Sequence, residues 1–243
     1  MKIQPSFPSS ALAALFLVLV PGSFAADRMP FFAMDTALRD GKPRSAIEQA
    51  ALLKELGYDG FGTSGHPSPE FLAAFEQAGI KVVNTYLTLT FDSAVPALDP
   101  KLKEFVPRLK GHDTALWIAI GGVTRTGVKL KPSDSAGDDL VVSRMLELAD
   151  LAQASGVKIA FYPHAGFWIE RVEDALRVAT KVDRPNVGAT FNLCHWLKVE
   201  GDRDPKPVLT AALPHLFFVS LNGADRGDTK PMDWNRLIQP LDA

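Results

Sequence analysis

Two hydrophobic patterns alternate along most of this chain. Short, nearly continuous apolar runs begin near Met29 (MPFFAMD), Tyr58 (YDGFGTS), Lys81 (KVVNTYLTL), Leu116 (LWIAIGG), Lys158 (KIAFYPH), Val187 (VGATFNL) and Leu216 (LFFVSLN). Between them, apolar residues recur three and four positions apart: Phe71, Ala74, Phe75 and Ala78, then Val141, Met145, Leu148 and Ala152, then Val172, Ala175, Leu176 and Ala179. The first pattern predicts strands buried on both faces, and the second predicts helices with one apolar side. Punctuation agrees with it. Ser45 and Glu48 have capping-box spacing, and Ser68-Pro69, Asp99-Pro100 and Asp204-Pro205 put proline behind a capping side chain. Gly57, Gly79, Gly111 and Gly156 stand where helices should close.

Strands alternating with helices imply crossover connections and a parallel sheet, either an open doubly wound sheet or a (β/α)8 TIM barrel. No G-x-G-x-x-G follows the first strand and no phosphate-binding G-x-x-x-x-G-K-S/T occurs, which favours the barrel. Seven units can be counted. After the seventh come Trp234, Leu237 and Ile238, and the chain stops at Ala243. The expectation is a barrel truncated before strand eight, as in a fragment or shortened gene product, with two sheet edges left open.

Residues 1–25 read as a signal peptide: Lys2, an apolar stretch from Ala11 to Val20, then small residues at Ser23 and Ala25. Ten apolar residues are too few to span a bilayer. The expected mature domain is therefore 26–243, periplasmic or secreted, with no membrane span after cleavage. The 26 basic and 28 acidic residues leave a charge of −2, so nucleic acid is not an expected partner. Cys194 is the single cysteine and has no disulfide partner within the chain. The oligomeric state is left open.

In a parallel barrel, reactive groups collect at the C-terminal ends of the strands. His112 and His215 precede strands and fall at the other end, whereas His66, His164 and His195 follow or end strands two, five and six. Asp35, Tyr86, Tyr162, Asn192, Asn222 and Asp225 reach the same rim. Imidazole, phenol and amide groups around a hollow suit binding and proton transfer on a polyhydroxylated molecule. His164, His195 and Tyr162 are the catalytic candidates. Asn192, Asn222, Asp225, His66 and Tyr86 are candidates for binding substrate, and Trp168 for stacking on a sugar face. Cys194, two residues from Asn192 and next to His195, is expected on a strand with its thiol turned to the helix layer. Gly121-Gly122 is expected to end strand four in a tight turn.

The segments IAFYPHAG, RVEDALRVATKVDRPNVGATFNLCHWLKVEG and LPHLFFVSLNGAD, between Lys158 and Asp225, resemble the xylose isomerase-like TIM barrel superfamily, which includes sugar phosphate isomerases and epimerases and the endonuclease IV group. The resemblance implies proton transfer on a sugar or oxidised sugar through an enediolate. It also implies one divalent cation held by Glu, Asp, His and Glu on strands five to eight. At the matching positions this chain has Tyr162 (followed by His164), Asn192 (followed by His195) and a residue near Ser220. With the strand-five and strand-six carboxylates replaced and no strand eight expected, only His164 and His195 remain as possible ligands. The reading is an exported isomerase, epimerase or lyase. The alternative is a carbohydrate-binding barrel that has lost its catalytic acids. A nuclease of the endonuclease IV type would need a cluster of His, Asp and Glu ligands that this chain lacks.

Overall fold

Each of the seven apolar runs becomes a strand of one sheet, and the helical runs pack on its outer face. A computed structural model describes residues 30–38, 40–95, 98–201, 203–225 and 233–240; the signal segment expected over 1–25 lies outside them. Seven parallel strands pair in chain order: β1 (Phe32–Met34), β2 (Gly60–Ser64), β3 (Lys81–Asp92), β4 (Ala115–Arg125), β6 (Ile159–Phe161), β7 (Val187–Asn192) and β8 (Leu216–Ser220). The two-residue β5 (Val128–Lys129) runs back antiparallel along β4. The helices are α1 (Ala46–Glu55), α2 (Pro69–Ala78), α3 (Pro100–Phe105), α4 (Asp138–Ala154), α5 (Val172–Val182), α6 (Leu193–Glu200), α7 (Lys206–Ala212) and α8 (Trp234–Leu237).

Local chemistry sets these boundaries. Ser45 and Glu48 exchange side-chain and backbone hydrogen bonds at the start of α1. Ser68 caps α2 ahead of Pro69, and Gly79 ends it with a φ of 73°. One expected boundary is wrong. β4 does not stop at Gly121-Gly122 but continues to Arg125, and the chain turns at Thr126 and Gly127, both with positive φ. Two successive positive-φ residues make the tight hairpin turn whose twist matches the flanking strands.

Side chains on β4 sort into two layers. Leu116, Ile118 and Ile120 face the helices, where they pack with Met145 and Leu148 of α4 and with Val178 of α5. Trp117 and Ala119 face inward, joining Ala160 and Tyr162 with Phe32, Met34, Tyr86, Phe217 and Phe218. This inner aromatic cluster fills the hollow of the sheet, as the interior of a small barrel must be filled. The fold is thus an α/β TIM barrel of seven parallel strands. Among the described residues no eighth strand joins β8 to β1. Phe32 and Phe218 meet across that seam edge to face, with ring centroids 6.3 Å apart. No helix among the described residues is long and apolar enough to cross a membrane.

Candidate functional site

β6 and β7 lie side by side and carry the site at their C-terminal ends. Tyr162 and His164 follow β6 directly. His195 was expected at the end of a strand; it is in the first turn of α6, three residues past the end of β7. The helix starts immediately after Asn192, so its first turn swings the imidazole back over the rim. Cys194 is corrected in the same way: it belongs to α6, not to a strand, and burial raises its thiol pKa.

The two imidazoles pack together. Their ring centroids are 4.1 Å apart, and the opposite face of His164 stacks on Phe167 at 3.9 Å. Tyr162 stands edge to face with His195 at 5.5 Å and with Tyr86 at 5.0 Å. Trp234 of α8 covers His195 from outside at 5.5 Å. The backbone of Ala165 touches both histidines: its carbonyl lies 2.9 Å from Nδ1 of His164, and its N–H donates to Nδ1 of His195 at 3.3 Å.

Burial decides the charge of this cluster. His195 is 8% exposed, and desolvation, with His164 beside it, pushes its pKa down to about 3. Desolvation also lowers His164, against the opposing effect of its bond to Ala165. Burial raises the Tyr162 phenol well above its usual range, and raises Tyr86 as well. Near neutral pH the site therefore holds two neutral imidazoles and two neutral phenols. Asn192 is 2% exposed; its amide donates to the Pro163 carbonyl and to Thr190 Oγ1, while its Oδ1 is buried without a partner. A buried orphan acceptor is costly unless something else hydrogen-bonds to it.

Other expected site residues are placed elsewhere. Trp168, expected to stack on sugar, is 1% exposed, with its indole N–H bonded to the Asp134 carbonyl; it is a core residue. His66 is exposed and stacks on Phe105 of α3 at 4.4 Å. Asn222 spends its amide donor on the carbonyls of Gly223 and Leu237, which ties β8's exit to α8. Asp225 is exposed and pairs with Arg236 at 3.6 Å. Ala165, Phe167 and Trp234 enter the site without having been singled out in the sequence. Phe167 had a signal, since it lies only three residues beyond His164 in the same loop.

The cation implied by the resemblance does not fit these residues. Hard divalent cations take anionic oxygen, and this rim offers a neutral phenol and a neutral amide where carboxylates are needed. Among the described residues no group of three or more His, Cys, Asp or Glu is placed to hold a metal ion.

Residues 50–240 match the family model of the xylose isomerase-like TIM barrel, so the chain belongs to that family. Its fold is shared with solved structures of low sequence identity. The apo 3-keto-D-glucoside 4-epimerase YcjR from E. coli superposes with a TM-score of 0.63 at 16% identity, covering 86% of each chain. The D-psicose 3-epimerase of Clostridium cellulolyticum H10, solved with D-tagatose, gives 0.60 at 16% identity, covering 84% of this chain and 77% of that one. The IOLI protein, solved with a bound zinc atom, gives 0.60 at 19% identity, covering 81% and 74%. No curated protein matches the sequence.

Proposed function

We propose that this protein is an exported sugar isomerase or epimerase that moves a proton next to a carbonyl, using His164 and His195 as its acid–base pair. The observation that carries this reading is the packing of two neutral imidazoles at 4.1 Å on the rim, with the Tyr162 phenol beside them. A neutral imidazole is a base near physiological pH and its N–H is a donor, so two of them can remove and return protons without any change in net charge.

The chemistry follows from those groups. One imidazole takes the proton from the carbon beside the carbonyl; that C–H bond breaks, and its electron pair forms the enediolate double bond. Charge develops on the former carbonyl oxygen, where the second imidazole's N–H and the Tyr162 O–H donate. Returning the proton to the same carbon on the other face gives an epimer; returning it to the former carbonyl carbon, while the hydroxyl proton on the first carbon passes to the former carbonyl oxygen, gives an isomer. The buried Oδ1 of Asn192 accepts from a sugar hydroxyl. Neutral groups of this strength deprotonate only a carbon already acidified by a carbonyl, so the substrate class is a keto- or aldo-sugar or an oxidised glycoside. The epimerases that share the fold support a sugar substrate.

The test is proton exchange in D2O. A panel of ketoses, aldoses and 3-keto-glycosides is incubated with the mature chain, and deuterium entering carbon is read by NMR. His164→Gln and His195→Gln should each reduce exchange about 10²–10⁴-fold, the usual contribution of a general acid or base. Saturable binding with no exchange from any sugar would replace this reading with the binding-only barrel. Unchanged exchange in both variants would remove the histidines from the chemistry.

A further inference from the structure

We infer that the backbone of Ala165 locks His164 and His195 in opposite neutral tautomers, making His164 the base and His195 the acid and closing the pair to a metal ion. The roles rest on the function proposed above; which Nδ1 donates and which accepts rests on the two Ala165 contacts.

A carbonyl oxygen can only accept a hydrogen bond. The Ala165 carbonyl lies 2.9 Å from His164 Nδ1, so that nitrogen carries a proton, and with desolvation keeping the ring neutral Nε2 is left with a lone pair. A backbone N–H can only donate. The Ala165 N–H points at His195 Nδ1 from 3.3 Å, so that nitrogen is the acceptor and the proton of the neutral ring is on Nε2. One residue thus presents an acceptor to the first ring and a donor to the second. The rings differ where they are free: a basic lone pair on His164 and an N–H on His195.

This arrangement also bears on the implied cation. A histidine that binds metal through Nε2 normally carries its proton on Nδ1 and donates it to a second partner. His164 meets that requirement. His195 does not, because metal at its Nε2 would need a proton on Nδ1, directly facing the Ala165 N–H. With Tyr162 and Asn192 neutral, the pair's own surroundings add one amide oxygen to one imidazole lone pair, and among the described residues no group of three His, Cys, Asp or Glu converges to complete a cation's shell.

Ala165 is held firmly enough to impose the choice. The Gly166 N–H donates to Glu170 Oε1 at 2.8 Å, the Phe167 N–H to the His164 carbonyl at 3.0 Å, and the His164 N–H to the Ile169 carbonyl at 3.1 Å. The loop carrying Ala165 is therefore closed by its own bonds on both sides of that residue.

Imidazole NMR of the ¹⁵N-labelled chain at pH 7 tests this without substrate, with His164→Gln and His195→Gln used to assign signals. The expected spectrum shows His164 protonated on Nδ1 and His195 on Nε2. The same tautomer at both, or a charged ring at either, overturns the lock. Equimolar Zn²⁺ should leave both rings unmoved and give no saturable isotherm; one-to-one binding that disappears in His195→Gln overturns the exclusion of metal. In Ala165→Pro, which lacks the N–H, His195 should sample both tautomers while His164 keeps its own. An unmoved His195 signal in that variant, once folded, sinks the assignment to Ala165, and the wild-type spectra stand whether or not the variant folds. Opposite tautomers with a silent sugar panel count against the proposed reaction, whereas matching tautomers with turnover count against the lock.

Discussion

The rim of the sheet is built differently on its two sides. After β6 and β7 the chain is tied down and dry. Trp168 fills the core, Asp174 at the start of α5 accepts from the N–H groups of Glu170 and Arg171 and from Ser133 Oγ, and Arg177 links Asp174 to Asp138. After β3 and β4 the rim instead opens into a cavity of about 770 Å³, bordered by Leu89, Phe91, Asp92, Asp99, Gly121 and Lys129. There the carboxylates serve their own turns: Asp92 accepts from the Ala94 N–H and Asp99 from the Lys101 N–H. The first side holds the two imidazoles that pack on each other, whereas His66 on the other stacks alone on Phe105. Proton transfer demands that base and acid be fixed to within a fraction of an ångström, and the side with buried ionic anchors is the one that can do this.

Breaking those anchors should have the largest effect. Asp174 is buried, so Asp174→Ala leaves Arg177 Nη1, two backbone N–H groups and Ser133 Oγ without their acceptor, while Arg177 keeps Asp138 through its Nε. Losing one partner of such a network costs about 3–5 kcal/mol. Urea unfolding should show that loss, and surviving folded protein should exchange substrate deuterium more slowly because the His164 loop is freed. Lys129→Ala, an exposed change beside the open cavity, should stay within about 0.5 kcal/mol. Equal effects from the two substitutions would erase the distinction between the sides.

Acid should separate the sides next. The folded pKa of His195 is about 3, below the ordinary value of 6.5, so the folded state favours the neutral ring. The stability contributed by this group is complete above pH 6.5 and is lost as pH falls from 6.5 towards 3. One such group gives a slope of at most about 1.4 kcal/mol per pH unit. Unfolding free energies at pH 7, 6, 5 and 4 should fall more steeply for the native chain than for His195→Gln. Parallel curves would mean that His195 is as well hydrated folded as unfolded.

How much of this was legible beforehand depends on the range of the interaction. The strands and caps were readable because burial on both faces and side-chain capping are local: Ser45, Ser68 and Asp99 act within three residues. The seven-strand count and the rim positions of His164 and Tyr162 followed from the same periodicity. The extension of β4 was missed because two glycines look like a turn in isolation, whereas here Gly121 makes room for Thr88 and Phe167, which a Cβ would approach at 3.0 and 3.7 Å. Trp168 was misjudged because an aromatic on a loop after a strand has no sequence mark of burial; its fate was set by Asp134, 34 residues earlier. Ala165 was invisible for a different reason: its contribution is its backbone, which no side-chain pattern encodes.

A smaller effect than at Asp174 is expected at Trp234, and it bears directly on why the imidazole side is dry. Trp234 is 38% exposed, stands edge to face with His195, and has the Lys198 ammonium 5.2 Å from its ring centroid. An exposed cation–π contact and one aromatic pair together are worth about 1–2 kcal/mol, so Trp234→Ala should lower stability by no more than that. Its larger consequence is electrostatic. Removing the indole admits water to His195, which weakens the desolvation that depresses its pKa, so the ring should titrate closer to 6.5. Trp234→Phe, which keeps an apolar cover, should leave the titration near its native position. An imidazole NMR titration of His195 in the three proteins reads this directly. If His195 titrates alike in all of them, its dryness comes from Tyr162 and the β7 wall, and α8 has no part in setting its charge.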